Sequence, residues 1–217
     1  YLLNVRNHAL RIISDGSNWQ VLEETYSVSG QTAGKNCDGS VFTWNDVYNP
    51  TTGKVWMDRN LGASRVATNT NDDKAWGDFY QWGRLKDGHQ CRNSSTTATL
   101  SSTDIPGHAN FITNSNDWRS PQNDNLWQGT NGGMNNPCPS GYRLPTYTEL
   151  DAERASWSAQ TGDAAFNSPL KLTVGGRRHV DGSWIGSANG YLWTSTLLSS
   201  TSTRVLVFWS WGLGWND

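Results

Sequence analysis

The side chains of this 217-residue chain best suited to acid–base, nucleophilic or metal chemistry are four histidines, His8, His89, His108 and His179, and three cysteines, Cys37, Cys91 and Cys138. Their spacing assembles no site. No GxSxG elbow presents a serine on a strand-to-helix turn, and no cysteine stands in a context that supplies a base. HExxH is absent as well. The cysteines lie 54 and 47 residues apart, which excludes a CxxC zinc knuckle or redox pair. One disulfide with a free thiol and three reduced thiols are equally compatible with that count. Asn69-Thr70-Asn71-Asp72-Asp73 opens like a calcium loop, but Lys74 occupies the place of the required glycine and no later glutamate follows. Oxygen-rich loops such as Asn123-Asp124-Asn125 leave one structural calcium ion as the only cofactor to be considered. Asn93-Ser94-Ser95 matches a glycosylation sequon by pattern alone.

The aromatic residues carry more information. Trp209, Trp211 and Trp215 crowd the last residues together with Val205, Val207 and Leu213, around Gly212 and Gly214. In a strand, alternate side chains face opposite sides, so Leu206 and Phe208 cannot share a face with Val205, Val207, Trp209 and Trp211. With one face wet, a Val, Val, Trp, Trp row becomes an apolar patch of the kind that marks a binding surface.

The elements that would position these residues are short. Leu10 to Ile13, Asp15-Gly16 and Trp19 to Leu22 read as a hairpin, which is marginal alone and is expected to end a preceding stalk-like module over residues 1–24. Residues 25–36, polar with Gly30 and Gly34, read as a linker, and 37–217 as the main domain. Val41 to Trp44 and Val55 to Met57 flank the turn signal Asn49-Pro50-Thr51-Thr52-Gly53 and predict a hairpin. A short helix is expected over Ala75 to Trp82, capped by Asp72 or Asp73. Residues 85–136 form a long Ser-, Thr- and Asn-rich loop region, of a length that is usually functional or pinned. Thr146 and Glu149 spell a capping box that leads into Leu150, Ala152, Ala155 and Trp157. Leu170 to Val174 and Arg204 to Trp211 read as strands. The fold class is α+β: loop-rich, with mostly antiparallel short strands and two short helices.

Composition bounds the function. Apolar residues make up only 35%, while 13 Trp, 7 Tyr and 5 Phe supply the core area that a disordered chain lacks. A net charge of −2 with scattered basic residues gives no footprint for nucleic acid or an anionic membrane surface. No apolar run reaches 18 residues, so membrane insertion is not expected. The chain opens at Tyr1 without a Met or a basic n-region and reads as a piece of a longer protein.

Four ordered blocks resemble a known family. They are Val55-Trp56-Met57-Asp58-Arg59-Asn60-Leu61-Gly62, the run from Trp76 to Arg84, Asn136-Pro137-Cys138-Pro139-Ser140-Gly141-Tyr142-Arg143-Leu144-Pro145-Thr146, and Gly190-Tyr191-Leu192-Trp193-Thr194-Ser195-Thr196. Together they resemble the Fibrobacter succinogenes major paralogous domain. That resemblance implies a C-type lectin fold of the formylglycine-generating-enzyme type, as carried by the variable proteins of diversity-generating retroelements in phage tail fibres and on cell surfaces. It implies a variable C-terminal segment, about residues 191–217, with Leu198, Val205, Val207, Trp209, Trp211, Leu213, Trp215 and Asn216 as ligand-binding residues. The implied partner is a host or partner surface protein, the location a virion tail fibre or cell surface, and the N-terminal segment suits a homo-oligomer such as a trimer. Trp215-Asn216-Asp217 matches the calcium-site motif of sugar-binding lectins, but its Glu-Pro-Asn or Gln-Pro-Asp partner is missing. The alternatives are an undiversified adhesin domain of the same family and, more remotely, an oxidase of the formylglycine-generating type. The oxidase would need late cysteines, and none follows Cys138. No enzymatic activity is therefore expected.

Overall fold

The computed structural model describes residues 9–14, 19–25, 31–113, 115–129, 131–186, 188–199 and 202–216. The strands β1 (Ala9–Ser14) and β2 (Trp19–Thr25) pair antiparallel as a hairpin. His8 and the Asp15-Gly16 turn lie outside the described residues. Half of the stretch expected to be a linker is not one: β3 (Gln31–Lys35) pairs antiparallel with β4 (Val41–Trp44). The Asn49 to Gly53 turn forms, but it joins β5 (Asp46–Asn49) to β6 (Lys54–Met57), so the partner of β6 is a strand that the sequence pattern did not mark. Gly53 takes φ 67°, and its N–H closes the turn on the Asn49 carbonyl at 2.8 Å.

No helix forms over Ala75 to Trp82. Gly77 takes φ 78°, where a Cβ would sit 2.6 Å from the Leu61 carbonyl, and the next N–H, Asp78, donates to that oxygen at 2.8 Å. The left-handed turn at glycine ends helical propagation before it starts.

The long loop region is pinned from below by buried polar side chains. Arg84 is fully buried, and its guanidinium donates to the His108 and Asn110 carbonyls, to Gln81 and to Asp87. Asn135 donates to the Gly83 and Asp104 carbonyls, and the indole N–H groups of Trp118 and Trp127 reach the carbonyls of Trp82 and Asn135. A buried backbone without secondary structure needs such partners, because an unpaired buried polar group costs about 1–3 kcal/mol. Among the described residues here, pairing is limited to β7 (Thr96–Thr97) alongside β8 (Phe111–Ile112), parallel, and an isolated parallel bridge between Ser101 and Arg119. A small core of Ile112, Trp118 and Leu126 fills the space beneath. The Cys37–Cys91 disulfide ties the start of the domain to this region, and Cys138 remains a thiol.

The capping box forms as expected. Thr146 Oγ1 accepts from the Glu149 N–H, and the Glu149 carboxylate accepts from the Thr146 N–H, at the start of α1 (Tyr147–Ala155). Arg143 and Lys54 both reach Glu149, holding its carboxyl well below the usual carboxylate range, with the Arg143 bonds the larger cause. The second helix is α2 (Gly162–Asn167), capped by Thr161; a Cβ at Gly162 would lie 2.6 Å from the Trp209 carbonyl, so glycine lets the helix start against the backbone there. Leu170 to Val174 is not a strand, since Lys171 adopts φ 50°. A two-residue hairpin, β9 (Arg177–Arg178) with β10 (Trp184–Ile185), precedes the main sheet.

That sheet has three antiparallel strands in sequence order, β11 (Asn189–Ser199), β12 (Ser202–Trp209) and β13 (Gly212–Asn216). Its inner face packs on Leu150, Trp157, Ala164, Ala165, Leu170 and Leu172. The class is α+β, with mostly short antiparallel strands and two short helices. Among the described residues no helix is long and apolar enough to cross a membrane.

Candidate functional site

Pairing register sorts the C-terminal sheet into rows. Residues directly opposite in antiparallel strands share a face. Gly190, Phe208 and Leu213 form one inner row, and Leu192, Leu206 and Trp215 the next. Leu206 and Phe208 are completely buried, which is the register argued from the sequence. The outer rows are Asn189, Trp209 and Gly212; Tyr191, Val207 and Gly214; and Trp193, Val205 and Asn216.

Three residues expected on the ligand surface are therefore displaced from it. Leu213 and Trp215 face inward, because the turn at Ser210 and Trp211 returns β13 with Leu213 opposite Phe208. Both pack on the core; the Trp215 ring meets Tyr147 edge-on at 4.5 Å, and its Nε1 donates to Asp151 at 3.1 Å. Val205 lies on the outer face by parity but is only 8% exposed. It shares its row with Trp193, whose Nε1 donates to the Tyr80 carbonyl, while Trp82 Nε1 donates to the Thr194 carbonyl. The segment around Tyr80 is thereby tied to this end of the sheet.

The remaining candidates stay at the surface. Trp211 is 81% exposed at the turn, Leu198 is exposed near the other end, and Val207 and Trp209 are half-buried. The Trp209 indole lies over Gly212, where a Cβ would come within 2.9 Å of the ring. Glycine at 212 and 214 leaves the outer face of β13 without side chains in those rows, so Trp209 and Val207 are not walled in from that side. Of Asn216 only the backbone is described, and Asp217 lies outside the described residues. Near Leu197 a groove of about 460 Å³ opens between Gln128, Arg143, Thr146 and Ser195.

The sequence argument, confined to the last strand, missed the aromatic residues that adjoin this face. Tyr191 and Trp193 come from β11, and Arg177 lies over the Tyr191 ring at 5.3 Å. Beyond β9, Trp184 packs on Trp76 at 5.7 Å, and Arg92 stacks on both Trp76 and Phe79, at 4.6 and 4.4 Å. The signal available was parity on β11: Tyr191 and Trp193 alternate with Gly190 and Leu192.

The described histidines are occupied. His89 is buried; its Nε2 accepts from the Gln81 N–H at 3.0 Å, which places its proton on Nδ1, 2.7 Å from Asp87. Burial pushes its pKa down, so it is a neutral structural histidine. His108 Nδ1 accepts from the Asn110 N–H, and His179 pairs with Asp181 at the surface. Burial pushes the Cys138 thiol up to about 12, the opposite of what a nucleophile needs. In the loop that opens like a calcium site, the Asp72 carboxylate is saturated by Arg65, the Thr68 N–H and hydroxyl, and the Lys74 N–H, so its oxygens do not fit a cation. Among the described residues no cluster of three or more His, Cys, Asp or Glu could hold a metal ion. No family model, curated protein or solved structure matches this chain.

Proposed function

We propose that this chain is a diversified receptor-binding domain on a C-type lectin-like fold, a variable protein of a diversity-generating retroelement carried on a tail fibre or cell surface. Its variable surface is the outer face of the last sheet and the turn that follows β12, and its partner is a protein on a host or neighbouring cell. The observation that carries this reading is the division of labour inside β12. Leu206 and Phe208 are fully buried framework, whereas Val207 and Trp209 between and beside them stand on the outer face and lead to Trp211 at 81% exposure. A strand so divided can change its outer residues without disturbing the core. An exposed Trp is also the side chain most often found as a binding anchor. Among the described residues, His89, His108 and His179 are each engaged by a hydrogen bond or an ion pair, which supports binding over catalysis.

Two experiments test the proposal. Simultaneous randomisation of Leu198, Val207, Trp209 and Trp211 should yield mostly folded variants, whereas randomisation of Leu206, Phe208, Leu213 and Trp215 should yield mostly unfolded ones. Sequencing of the adjoining genes should find a reverse transcriptase and a near-copy of the final coding segment that differs only at adenines. Tolerance without such genes would leave an undiversified adhesin; intolerance at the outer positions would sink the variable-surface reading itself.

A further inference from the structure

Asp78 and the Cys37–Cys91 disulfide meet in a contact that the oxidised chain cannot turn into a bond. Asp78 Oδ2 is buried and has no hydrogen-bond partner among the described residues. Asp78 Oδ1 lies 3.3 Å from Cys37 Sγ, a distance that suits an S–H donating to a carboxylate. A half-cystine carries no hydrogen, so while the bridge is formed this oxygen receives nothing from the sulfur. Gly62 gives the carboxyl its space, since a Cβ there would fall 2.2 to 2.4 Å from its atoms. Burial pushes the Asp78 pKa up to about 6; Lys86 and Arg92 pull against that shift and Asp38 adds to it. The Tyr80 hydroxyl, also buried without a partner among the described residues, stands in the field of the same carboxyl. At neutral pH the folded chain therefore holds an ionised carboxylate against a disulfide sulfur, an arrangement that costs stability for want of a donor.

The bridge is open to solvent on one side. Cys37 is exposed and Cys91 half-buried. Gly34, Lys35, Lys86 and Gln90 help to line a pocket of about 390 Å³, and Gln90 Nε2 lies 3.9 Å from Cys37 Sγ. Lys86 Nζ donates to the Lys35 carbonyl at 2.6 Å, which keeps a second ammonium beside the segment that carries Cys37. Disulfides are attacked by thiolate anions, and two lysines near an exposed sulfur favour the approach of an anion.

We infer that Cys37–Cys91 is a thiol-exchange site for low-molecular-weight monothiols, with Asp78 as the positioning residue that holds the reduced pair by accepting the Cys37 S–H. The thiolate of the monothiol attacks Cys37 Sγ and forms a mixed disulfide there; the bond to Cys91 breaks, and Cys91 leaves with the electron pair and takes a proton from solvent. A second thiolate attacks the monothiol sulfur of the mixed disulfide and releases the oxidised reagent and the Cys37 thiolate, which takes a proton in turn. In sum two thiols are oxidised to one disulfide while Cys37–Cys91 is reduced to two thiols. The Cys37 S–H then supplies the donor that Asp78 lacks. The reduced state is stabilised by that bond, so the bridge yields to reduction more readily than it would beside a neutral side chain. By linkage, reduction makes Asp78 easier to ionise, and ionisation of Asp78 favours reduction by the same factor. The site lies outside the C-terminal sheet and does not depend on the binding role proposed for that sheet.

The test uses the full chain with its aspartate carboxyl and cysteine Cβ carbons isotopically labelled, equilibrated with reduced and oxidised glutathione and a catalytic selenol. NMR between about pH 4.5 and 7.5 reads the redox state from the cysteine signals and the ionisation of Asp78 from its carboxyl signal. The Asp78 pKa should fall by at least about one unit on reduction, and the equilibrium constant for reduction should rise about tenfold across that range, since one unit is a factor of ten. D78N should abolish the rise, leaving the bridge about tenfold harder to reduce than in the parent at pH 7.5 and nearly equal to it at pH 4.5. C37S/C91A, which keeps a hydroxyl donor at the first position, should show a lower Asp78 pKa than C37A/C91A; this pair separates the bond from the mere loss of the bridge. A brief glutathione pulse quenched in acid should leave mixed disulfide on Cys37. An Asp78 pKa equal in the two redox states, a reduction equilibrium that D78N does not change, equal pKa values in the two bridgeless variants, or mixed disulfide on Cys91 overturns the inference. Two further results also overturn it: a folded chain that glutathione does not reduce, and a reduced chain whose NMR spectrum collapses, since the lower pKa would then belong to unfolded protein.

Discussion

The ring of Phe208 lies across the backbone of Gly190, its direct partner on the neighbouring strand, so closely that a Cβ at 190 would come within 2.1 to 2.7 Å of ring carbons. Glycine is required here for space, since Gly190 and Phe208 are both buried and Leu213 in the same row packs on the core. G190A should therefore destabilise the domain by about 1–3 kcal/mol through overpacking. F208A, which empties a completely buried site, should cost about 3–5 kcal/mol. In a denaturant-unfolding double-mutant cycle the two changes should couple, with G190A/F208A less destabilised than the sum of its parts. Additivity would mean that the ring does not cover residue 190.

The inward placement of β13 gives a contrast between tryptophans. W215A should cost several kcal/mol of stability, because its ring packs on Tyr147 and the core and its N–H on Asp151. W211A, at a turn and 81% exposed, should stay within about 0.5 kcal/mol of the parent. Urea melts of the two variants decide it, and the reverse order would refute the register of the last hairpin.

Asp78 makes stability pH-dependent in an unusual direction. Its carboxyl lies against Gly62, one of its oxygens has no partner, and burial pushes its pKa up to about 6. Below about pH 4 it is protonated in folded and unfolded chains alike and carries no penalty. Between about 4 and 6 the unfolded chain ionises first, so stability falls as pH rises, by about 3 kcal/mol once both states are charged. D78N should raise the melting temperature at pH 8 and leave it nearly unchanged at pH 4. A stabilisation that is the same at both values, or larger in acid, would contradict this.

Reduction of Cys37–Cys91 frees a loop of 54 residues. The chain-entropy model gives about 4 kcal/mol for a loop of that length. C37S/C91S should therefore melt well below the parent, whereas C138S, which removes only a half-buried thiol, should leave the denaturation midpoint much closer to it. Alkylation of the native protein at pH 8 should label Cys138 slowly, and fast labelling before unfolding would place that thiol at the surface.

The capping box offers a local test. T146A should cost about 1 kcal/mol in denaturant unfolding by removing the acceptor for the Glu149 N–H. The loss should shrink in T146S, which keeps the hydroxyl. Equal losses in the two variants would show that the methyl group, and not the cap, was being measured.

The features legible in the sequence are those set within a few residues. Thr146 and Glu149 fix where α1 begins, because both partners of the box lie in one turn of chain. The Asn49 to Gly53 segment turns because Gly53 reaches φ 67° without strain. Parity alone separated Leu206 and Phe208 from Val207 and Trp209, since the period of a strand is two whatever it pairs with. The same kind of local rule failed at Gly77, where contact with Leu61 fifteen and more residues away converts a helical pattern into a turn.

Partnership was decided by the tertiary structure. Backbone hydrogen-bonding groups are identical from residue to residue, so nothing in the type of Leu213 or Trp215 announces that β13 folds back with them facing inward. Three cysteines do not name their pair, and Arg84 does not disclose that it will hold His108 and Asn110 in place. The sequence by itself determined the helix cap, the turn and the alternation. Only the folded chain determined which strand lies beside which, and thereby which aromatic residues form the core and which stay at the surface. Local preferences act over one turn or one pleat, whereas these contacts join segments up to about a hundred residues apart and exist only once the whole chain is packed.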